Sequence, residues 1–280
     1  LFVIDGIIRD KAAFDALESN EIDQLSFLKD AATASVYGSK AGNGVVLVTT
    51  KSGADSMGKP KFEYQGSYTF NRPTRKLFTD DMSAYKELVY QNLVAEANGL
   101  ARPNNDEEME YAKTHDYNVN DLIWQNPWNT KHSISATGGT EKVRYFIGGS
   151  YYYNVGSFDN LKYSKYNFRA SIDADISKNF TVGLNISTDN RKDTKPNWKS
   201  DGDRDRMNDL YKGLLLRTKM IPSMIDGKPV GNFIEWHPLM LISEQSGLHT
   251  KKWQNVNVNA TAEYRVPFIK GLTLKMQYNR

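Results

Sequence analysis

From Lys61 onward, polar and apolar residues alternate with a period of two, the mark of a strand whose two faces meet different surroundings. In "KFEYQGSYTF" one face carries Phe62, Tyr64, Gly66, Tyr68 and Phe70, and the other Lys61, Glu63, Gln65, Ser67 and Thr69. "YNFRASIDADI" repeats the pattern, setting Tyr166, Phe168, Ala170, Ile172, Ala174 and Ile176 against Asn167, Arg169, Ser171, Asp173 and Asp175. "FTVGLNIST" and "NVNVNATAEY" continue it. With "HSISAT", "RYFIGGSYYY" and "LTLKMQY" there are about seven candidate strands, most near the ~9–11 residues that cross a bilayer when tilted.

The connections sharpen this reading. "GGTEK", "SKN" and "RVPFIKG" are short, whereas Asn71 to about Thr130, Asn154 to Lys165 and Asn190 to Lys252 are long. Alternating short and long connections characterise outer-membrane barrels, with tight periplasmic turns and large outer loops. If residues 1–53 lie on the periplasmic side, every short turn falls there too. An odd strand number cannot close a bacterial barrel, and both "LFVI" and "GLTLKMQYNR" read as strand interior. The expectation is an internal fragment of a longer protein. Alternating strands also suit a soluble β-sandwich binding module, which is the alternative from another class.

Residues 1–53 follow a different grammar. "FVIDGIIR" is two short apolar runs about Asp5-Gly6, a pair that readily takes the positive φ angles of a tight hairpin. A short polar-capped segment follows, then "IDQLSFL" as a strand. Asp30 is placed to cap a helix over "AATASVY", Gly38 fits the left-handed position past its end, and "VVLVTT" reads as a buried strand. The glycines Gly38, Gly42 and Gly44 follow a helix and precede a strand. A phosphate loop needs the reverse order, with a helix N-terminus facing the anion, so nucleotide binding is excluded. Turns and close packing explain these glycines better.

Composition narrows the classes further. A net charge of +3 over 280 residues, with both signs interleaved, does not form a nucleic-acid surface. No cysteine is present, which excludes a disulfide scaffold and thiolate metal sites. A mean hydropathy of -0.60 says nothing against a β-barrel, whose strands alternate. His115, His132, His237 and His249 are scattered without HExxH, and no GxSxG elbow occurs, so no enzyme is expected and no cofactor. "DGDRDRMNDLYK" fails as an EF-hand, since Arg206 takes the glycine position and Lys212 that of the bidentate glutamate. Trp124 and Trp128 suit an interfacial aromatic belt. Trp198 and Trp236, inside the third long connection, are the better candidates for substrate or lid contact. "DDMSAYKELVYQNLVAEANG" reads as a helix packed within the first outer loop, with Met82, Tyr85, Leu88 and Val89 at helical spacing and Gly99 as the stop.

"LKDAATASVYGSKAGNGVVLVTTKSG", Leu28 to Gly53, closely resembles the end of the plug domain in SusC/RagA-type TonB-linked outer-membrane transporters. The residues that carry the likeness are Lys29, Asp30, Tyr37, Gly38, Gly42, Asn43 and Gly44, with Asp5 and Gly6 of "VIDG" matching the upstream VDG-type element. "SATGGTEKVRYFIGGSYYYNVG" and "SKYNFRASIDADISKNFTVGLNIS" look more loosely like that family's second to fifth barrel strands. The resemblance implies a mainly β fold: a small α/β plug segment followed by antiparallel transmembrane β-barrel strands, part of a 22-stranded barrel. Residues 1–53 would be the C-terminal part of the plug, 54–60 a linker, and 61–280 the N-terminal part of the barrel. It further implies a nutrient importer in the outer membrane of a Gram-negative bacterium, powered through TonB, whose contact region lies outside residues 1–280. A SusD-like lipoprotein would lid the barrel over an oligosaccharide or peptide solute. A siderophore or cobalamin receptor is the alternative within TonB-linked proteins. Asn167, Arg169, Asp173 and Asp175 would then face the lumen and touch plug or solute.

Overall fold

The computed structural model describes residues 1–17, 19–29, 35–51, 58–72, 82–118, 122–197, 219–230 and 237–280. Asp30, Trp198, Trp236 and the EF-hand-like run 201–212 lie outside the described residues.

The chain begins with a four-stranded sheet built from β1 (Phe2–Ile4), β2 (Ile7–Arg9), β3 (Ile22–Leu28) and β4 (Val45–Thr50), in the order β2-β1-β4-β3. Asp5 and Gly6 both take positive φ, 50° and 81°, so the β1–β2 link is the two-residue turn whose twist matches its strands. Helix α1 (Lys11–Ala16) is capped by Asp10, whose Oδ1 accepts from the Ala13 N–H at 2.8 Å. β1 runs parallel to β4, Val3 opposite Leu47, which the short apolar runs alone did not foretell. Val3, Ala41 and Val45 form the core of this unit, with Leu28, Tyr37 and Leu47 packed against it. Tyr37 of the glycine-rich stretch thus packs, half-buried, against the core, while Lys29, Gly42 and Asn43 are exposed.

The described end of the predicted "AATASVY" helix is a single 3-10 turn, Ser35–Tyr37. Gly38 follows it at φ 72° and Gly44 enters β4 at φ 87°. Each glycine therefore stands where an L side chain would be strained.

The second sheet has seven antiparallel strands in simple chain order: β5 (Lys61–Phe70), β6 (Trp128–Gly139), β7 (Val143–Val155), β8 (Lys162–Ser177), β9 (Phe180–Pro196), β12 (Leu248–Arg265) and β13 (Thr273–Asn279). A two-stranded ribbon, β10 (Met224–Ile225) and β11 (Lys228–Pro229), lies in the connection between β9 and β12. The register preserves face identity across the whole sheet. One row reads Gln65, Ser133, Ser150, Asn167, Asp189 and Asn255; the adjacent row, on the other face, reads Tyr64, Ile134, Gly149, Phe168, Thr188 and Val256.

Burial on this sheet is inverted relative to a water-soluble fold. Ser133, Ser135, Asn167, Arg169 and Asp189 are buried, whereas Phe62, Ile134, Ile172, Leu184 and Met276 are exposed. A sandwich would have covered the apolar face with a second sheet. Here the N-terminal unit sits on the polar face instead, and among the described residues the apolar face stays bare.

Two boundaries differ from the sequence reading. The connection expected from Asn154 to Lys165 is only 156–161, because β7 and β8 keep pairing to Val155 opposite Lys162. Likewise β9 and β12 remain paired out to Pro196 opposite Leu248, so the third long connection spans 197–247. In both extensions the face that is apolar elsewhere turns polar as well, at Lys162, Ser164, Asn190 and Lys192. Alternation ends there although hydrogen bonding does not. Short and long connections thus do not alternate strictly.

The first long connection holds α2 (Ala84–Ala97), the expected helix, stopped by Gly99 at φ 70°. It also holds α3 (Asp106–Thr114), closed by a capping box between Asn105 and Glu108. Ala84, Leu88 and Ala112 join the two helices, with Tyr85, Met109 and Met220 around them. A second cluster, Ile123, Phe158 and Ile242, ties together the three connections at that end of the sheet, the last through α4 (Pro238–Ile242).

A Cβ at Gly44 would lie 3.0 Å from the Leu28 carbonyl oxygen, on top of the left-handed φ. Gly44→Ala is therefore expected to destabilise the N-terminal unit by about 1–2 kcal/mol. Gly42→Ala, at an exposed turn position without positive φ, should change stability by less than about 0.5 kcal/mol. Denaturant midpoints of the two variants check the contrast.

Candidate functional site: the seam between the N-terminal unit and the polar face

The polar face of the seven-stranded sheet gathers side chains that need partners, and the β1–β2 turn supplies one. Arg169 points from the middle of β8 with only 4% of its side chain exposed, and its Nη2 donates to Asp5 Oδ2 at 2.8 Å. The same guanidinium donates to the Thr50 hydroxyl. Asp5 is itself held from within its unit: the Thr50 N–H reaches Oδ1 at 2.8 Å and the Thr50 hydroxyl reaches Oδ2 at 2.7 Å. Asn185 of β9 adds a longer contact to Oδ2 at 3.4 Å. The tight turn thus presents a preorganised carboxylate to a buried cation. Charge-assisted bonds of this kind are about twice as strong as neutral ones.

Weaker contacts spread along the seam. The Lys165 ammonium donates to the Asp15 carbonyl at 3.2 Å, near the end of α1. Arg9 of β2 donates to Asn279 Oδ1 at 3.2 Å, and Lys51 pairs with Glu63 at 3.4 Å. The last two reach strands at opposite edges of the sheet, so the unit spans its whole width.

The four polar positions singled out on β8 have different neighbours. Arg169 touches the N-terminal unit directly, and Asn167 is buried beside the cavity described below. Asp173 lies over Gly183, whose missing side chain leaves room for it: a Cβ there would come 2.6 Å from Asp173 Oδ1. Asp175 stays within the sheet, accepting from Arg144 at 2.8 Å and from Thr181 at 2.7 Å, where it braces the turn side of β7, β8 and β9.

Between the N-terminal unit and the halves of β8, β9 and β12 nearer the long connections lies a cavity of about 1060 Å³. Arg9, Asp10 and Lys40 line it from one side, and Tyr163, Asn167, Asp189, Arg191, Trp253, Asn255 and Asn257 from the other. Asp189 is buried; its Oδ2 meets Arg191 at 2.7 Å and Asn255 Nδ2 at 3.3 Å, while Oδ1 accepts nothing from the described residues. Trp253 faces the cavity with 46% of its surface exposed. Sequence reasoning missed it, because the loop boundary was drawn at Lys252 and the strand pattern began beyond it. The available signal was parity: Trp253 is in phase with the polar positions Asn255, Asn257 and Asn259, an indole on the wrong face.

On the opposite, apolar face, aromatic rings form a continuous chain across four strands. Tyr68 stacks on Trp128 with centroids 5.3 Å apart, Trp128 meets Tyr153 edge-on at 5.6 Å, and Tyr151 bridges Tyr153 at 6.3 Å to Tyr166 at 4.8 Å. From Tyr166 to Ile176 the outward positions of β8 are apolar, close to the ~9–11 residues of a tilted membrane strand. Trp124 precedes β6, next in sequence to Ile123 of the loop cluster, and makes no ring contact with this chain among the described residues. Among the described residues no group of His, Asp and Glu is arranged to hold a metal ion. His132 instead bridges Tyr64 at 2.8 Å and Thr130 at 2.9 Å on the outer face.

No family model matches the chain. TonB-dependent receptor P3 of Formosa agariphila is 31% identical over 194 residues, which is 66% of this chain and 17% of the relative. TonB-dependent receptor SusC of Bacteroides thetaiotaomicron is 28% identical over 161 residues, 54% of this chain and 15% of the relative. Among solved structures, the RagAB peptide importer in its "closed-closed" state matches with a TM-score of 0.75 at 20% identity, covering 100% of this chain and 34% of that one. Its "open-open" state matches with a TM-score of 0.76 at 19% identity, covering 99% and 33%. The chain spans less than a fifth of the curated relatives it matches.

Removing one partner of a buried ion pair leaves an uncompensated charge, at a cost of about 3–5 kcal/mol. Arg169→Ala strands the partly exposed Asp5 carboxylate, so a loss near the lower end of that range is expected. Arg169→Lys should retain part of the contact, since an ammonium reaches Asp5 but cannot fork to Thr50 as well. Limited proteolysis of the N-terminal unit in the two variants measures the difference, with Arg169→Ala cleaved fastest.

Proposed function

Since the chain belongs to the SusC/RagA-type TonB-dependent receptors, we propose that the whole protein is a nutrient importer of the bacterial outer membrane. Residues 1–53 serve as part of the plug, 54–60 as a linker, and 61–280 as part of the barrel wall. The observation that carries this reading is the inverted sheet, with its apolar, aromatic-bounded face exposed and its polar face occupied by the N-terminal unit. Lipid suits the first face. A plug that must leave or rearrange during import suits the second, because polar contacts exchange with water far more readily than a packed apolar core does.

The plug lies on the periplasmic side in this scheme, where TonB pulls it, and a SusD-like surface lipoprotein closes the outer end. Naming of relatives as TonB-dependent receptors and the structural likeness to RagAB support both partners. The solute is an oligosaccharide or a peptide. Trp198 and Trp236 remain candidates for contact with solute or lid, and Asn167, Arg169, Asp173 and Asp175 for the lumen-facing polar surface. Lys29, Tyr37, Gly38, Gly42, Asn43 and Gly44 shape the plug rather than bind solute.

Two measurements test the reading. Deleting the full-length gene should abolish growth on at least one member of a panel of glycans and peptides; unchanged growth on all of them would overturn it. Within the protein, Ile172→Arg puts a charge at the middle of the outward band and is expected to cost about 2–4 kcal/mol of membrane-embedded stability. The shift is read from urea titration of the receptor in liposomes. Indifference to Ile172→Arg would mean that this face does not meet lipid.

A further inference from the structure

We propose that Lys162, Lys192 and Lys252 form a docking site for the headgroup of an anionic lipid that carries two phosphates, a bisphosphorylated glycolipid whose acyl chains lie along the apolar face beside them. The proposal rests on the reading that this face meets lipid, and it names one component of that lipid.

The register puts all three lysines on the apolar side of the sheet. The row through Tyr153 continues as Ser164 on β8, Lys192 on β9 and Lys252 on β12, and Lys162 stands one step further along β8, diagonal to Lys192. On β5 to β7 this level belongs to the aromatic chain of Tyr68, Trp128 and Tyr153. Aromatic girdles mark the depth of lipid headgroups. Past β7 that level is held by ammonium groups instead.

Three observations call for an anion there. First, Lys192 and Lys252 are directly opposite each other, a like-charge pair that destabilises a sheet unless something answers it. One residue along, on the other face, Lys251 stands opposite Asp193, so the sheet matches its charges where it faces its own chain. Second, all three lysines are exposed, and none has a hydrogen bond or ion pair among the described residues. Third, Lys162 and Lys192 line a recess of about 270 Å³ together with Tyr153, Ser164 and Thr194, and Glu244 is the one carboxylate in its lining. Three ammoniums against that one carboxylate leave two positive charges in excess, more than a single phosphodiester neutralises. The hydroxyls of Ser164 and Thr194 are further donors suited to phosphate oxygens. Next along the strands come the carboxamides of Asn190 and Gln254, and after them Phe168, Val256, Ile186 and Val258 begin the apolar band. Phosphates, then a polar sugar or amide, then acyl chains follow the same order. A soluble anion would use only the first part of it.

The experiment takes the full-length receptor, purified and lipid-stripped in detergent, and titrates it with diphosphoryl lipid A, monophosphoryl lipid A, phosphatidylglycerol and inorganic phosphate, counting bound molecules by native mass spectrometry. Diphosphoryl lipid A is expected to bind tightest, about fivefold or more ahead of the monophosphoryl form. Each of Lys162→Gln, Lys192→Gln and Lys252→Gln should weaken it about fivefold, and the three together about a hundredfold. Lys251→Gln, next to Lys252 but on the other face, should leave binding unchanged. Lipid A binding indifferent to the triple substitution would overturn the inference. So would phosphatidylglycerol binding as tightly as diphosphoryl lipid A, the mark of an unselective anionic surface, or inorganic phosphate displacing the lipid at equal concentration, the mark of a phosphate site without lipid. A receptor that loses stability with Ile172→Arg but ignores the lysine substitutions keeps its lipid-facing sheet and loses this site. A receptor indifferent to Ile172→Arg loses the reading on which the site depends.

Discussion

The ion pair between Asp5 and Arg169 fixes how the two parts of this chain meet. Arg169 is nearly without solvent, so its charge must be answered by protein. The answer comes from a two-residue turn whose geometry only a pair such as Asp-Gly takes without strain. Thr50, at the end of β4, holds the carboxylate in place through both its N–H and its hydroxyl. One contact therefore couples the β1–β2 turn, the last strand of the small sheet and the middle of the wall. The "VIDG" element and the end of "VVLVTT", distant in sequence, are two halves of the same clasp.

This clasp makes sense only on an inverted sheet. A soluble protein hides its apolar face and wets its polar one; here the large sheet does the opposite, with serines, an arginine and an aspartate buried and phenylalanines and isoleucines exposed. The polar face pays for that burial by bonding to the N-terminal unit. It also leaves a cavity in which not every group is answered by the described residues, as Asp189 Oδ1 shows. An interface of this kind holds firmly at one or two charged points and loosely elsewhere. That combination is compatible with the plug role proposed for the N-terminal unit.

Much of this was legible in the chain, for physical reasons. A period of two survives in any strand with two unlike faces, so all seven strands of the wall could be placed, and Asp-Gly between apolar runs announced its own hairpin. Strand ends were another matter. Beyond the apolar band both faces of β8, β9 and β12 are polar, the alternation disappears, and hydrogen bonding continues unseen; hence the middle connection shrank to 156–161 and Trp253 fell on the wrong side of a boundary. Helix α3 carried a readable signal in Asn105 and Glu108 that was passed over. The pairing of Arg169 with Asp5, 164 residues apart, leaves no trace in local pattern. Pattern could mark Arg169 as facing the polar side but not what it would find there.

The most direct test of the account is a double-mutant cycle on the clasp, in the full-length receptor, using Asp5→Asn and Arg169→Gln. Hydrogen exchange of the β1–β2 amides reports how often the turn leaves the wall. If the two residues hold the unit through each other, either substitution speeds exchange strongly and the double variant adds little, a coupling of about 2 kcal/mol or more. Strictly additive effects, or exchange unchanged by either substitution, would contradict it.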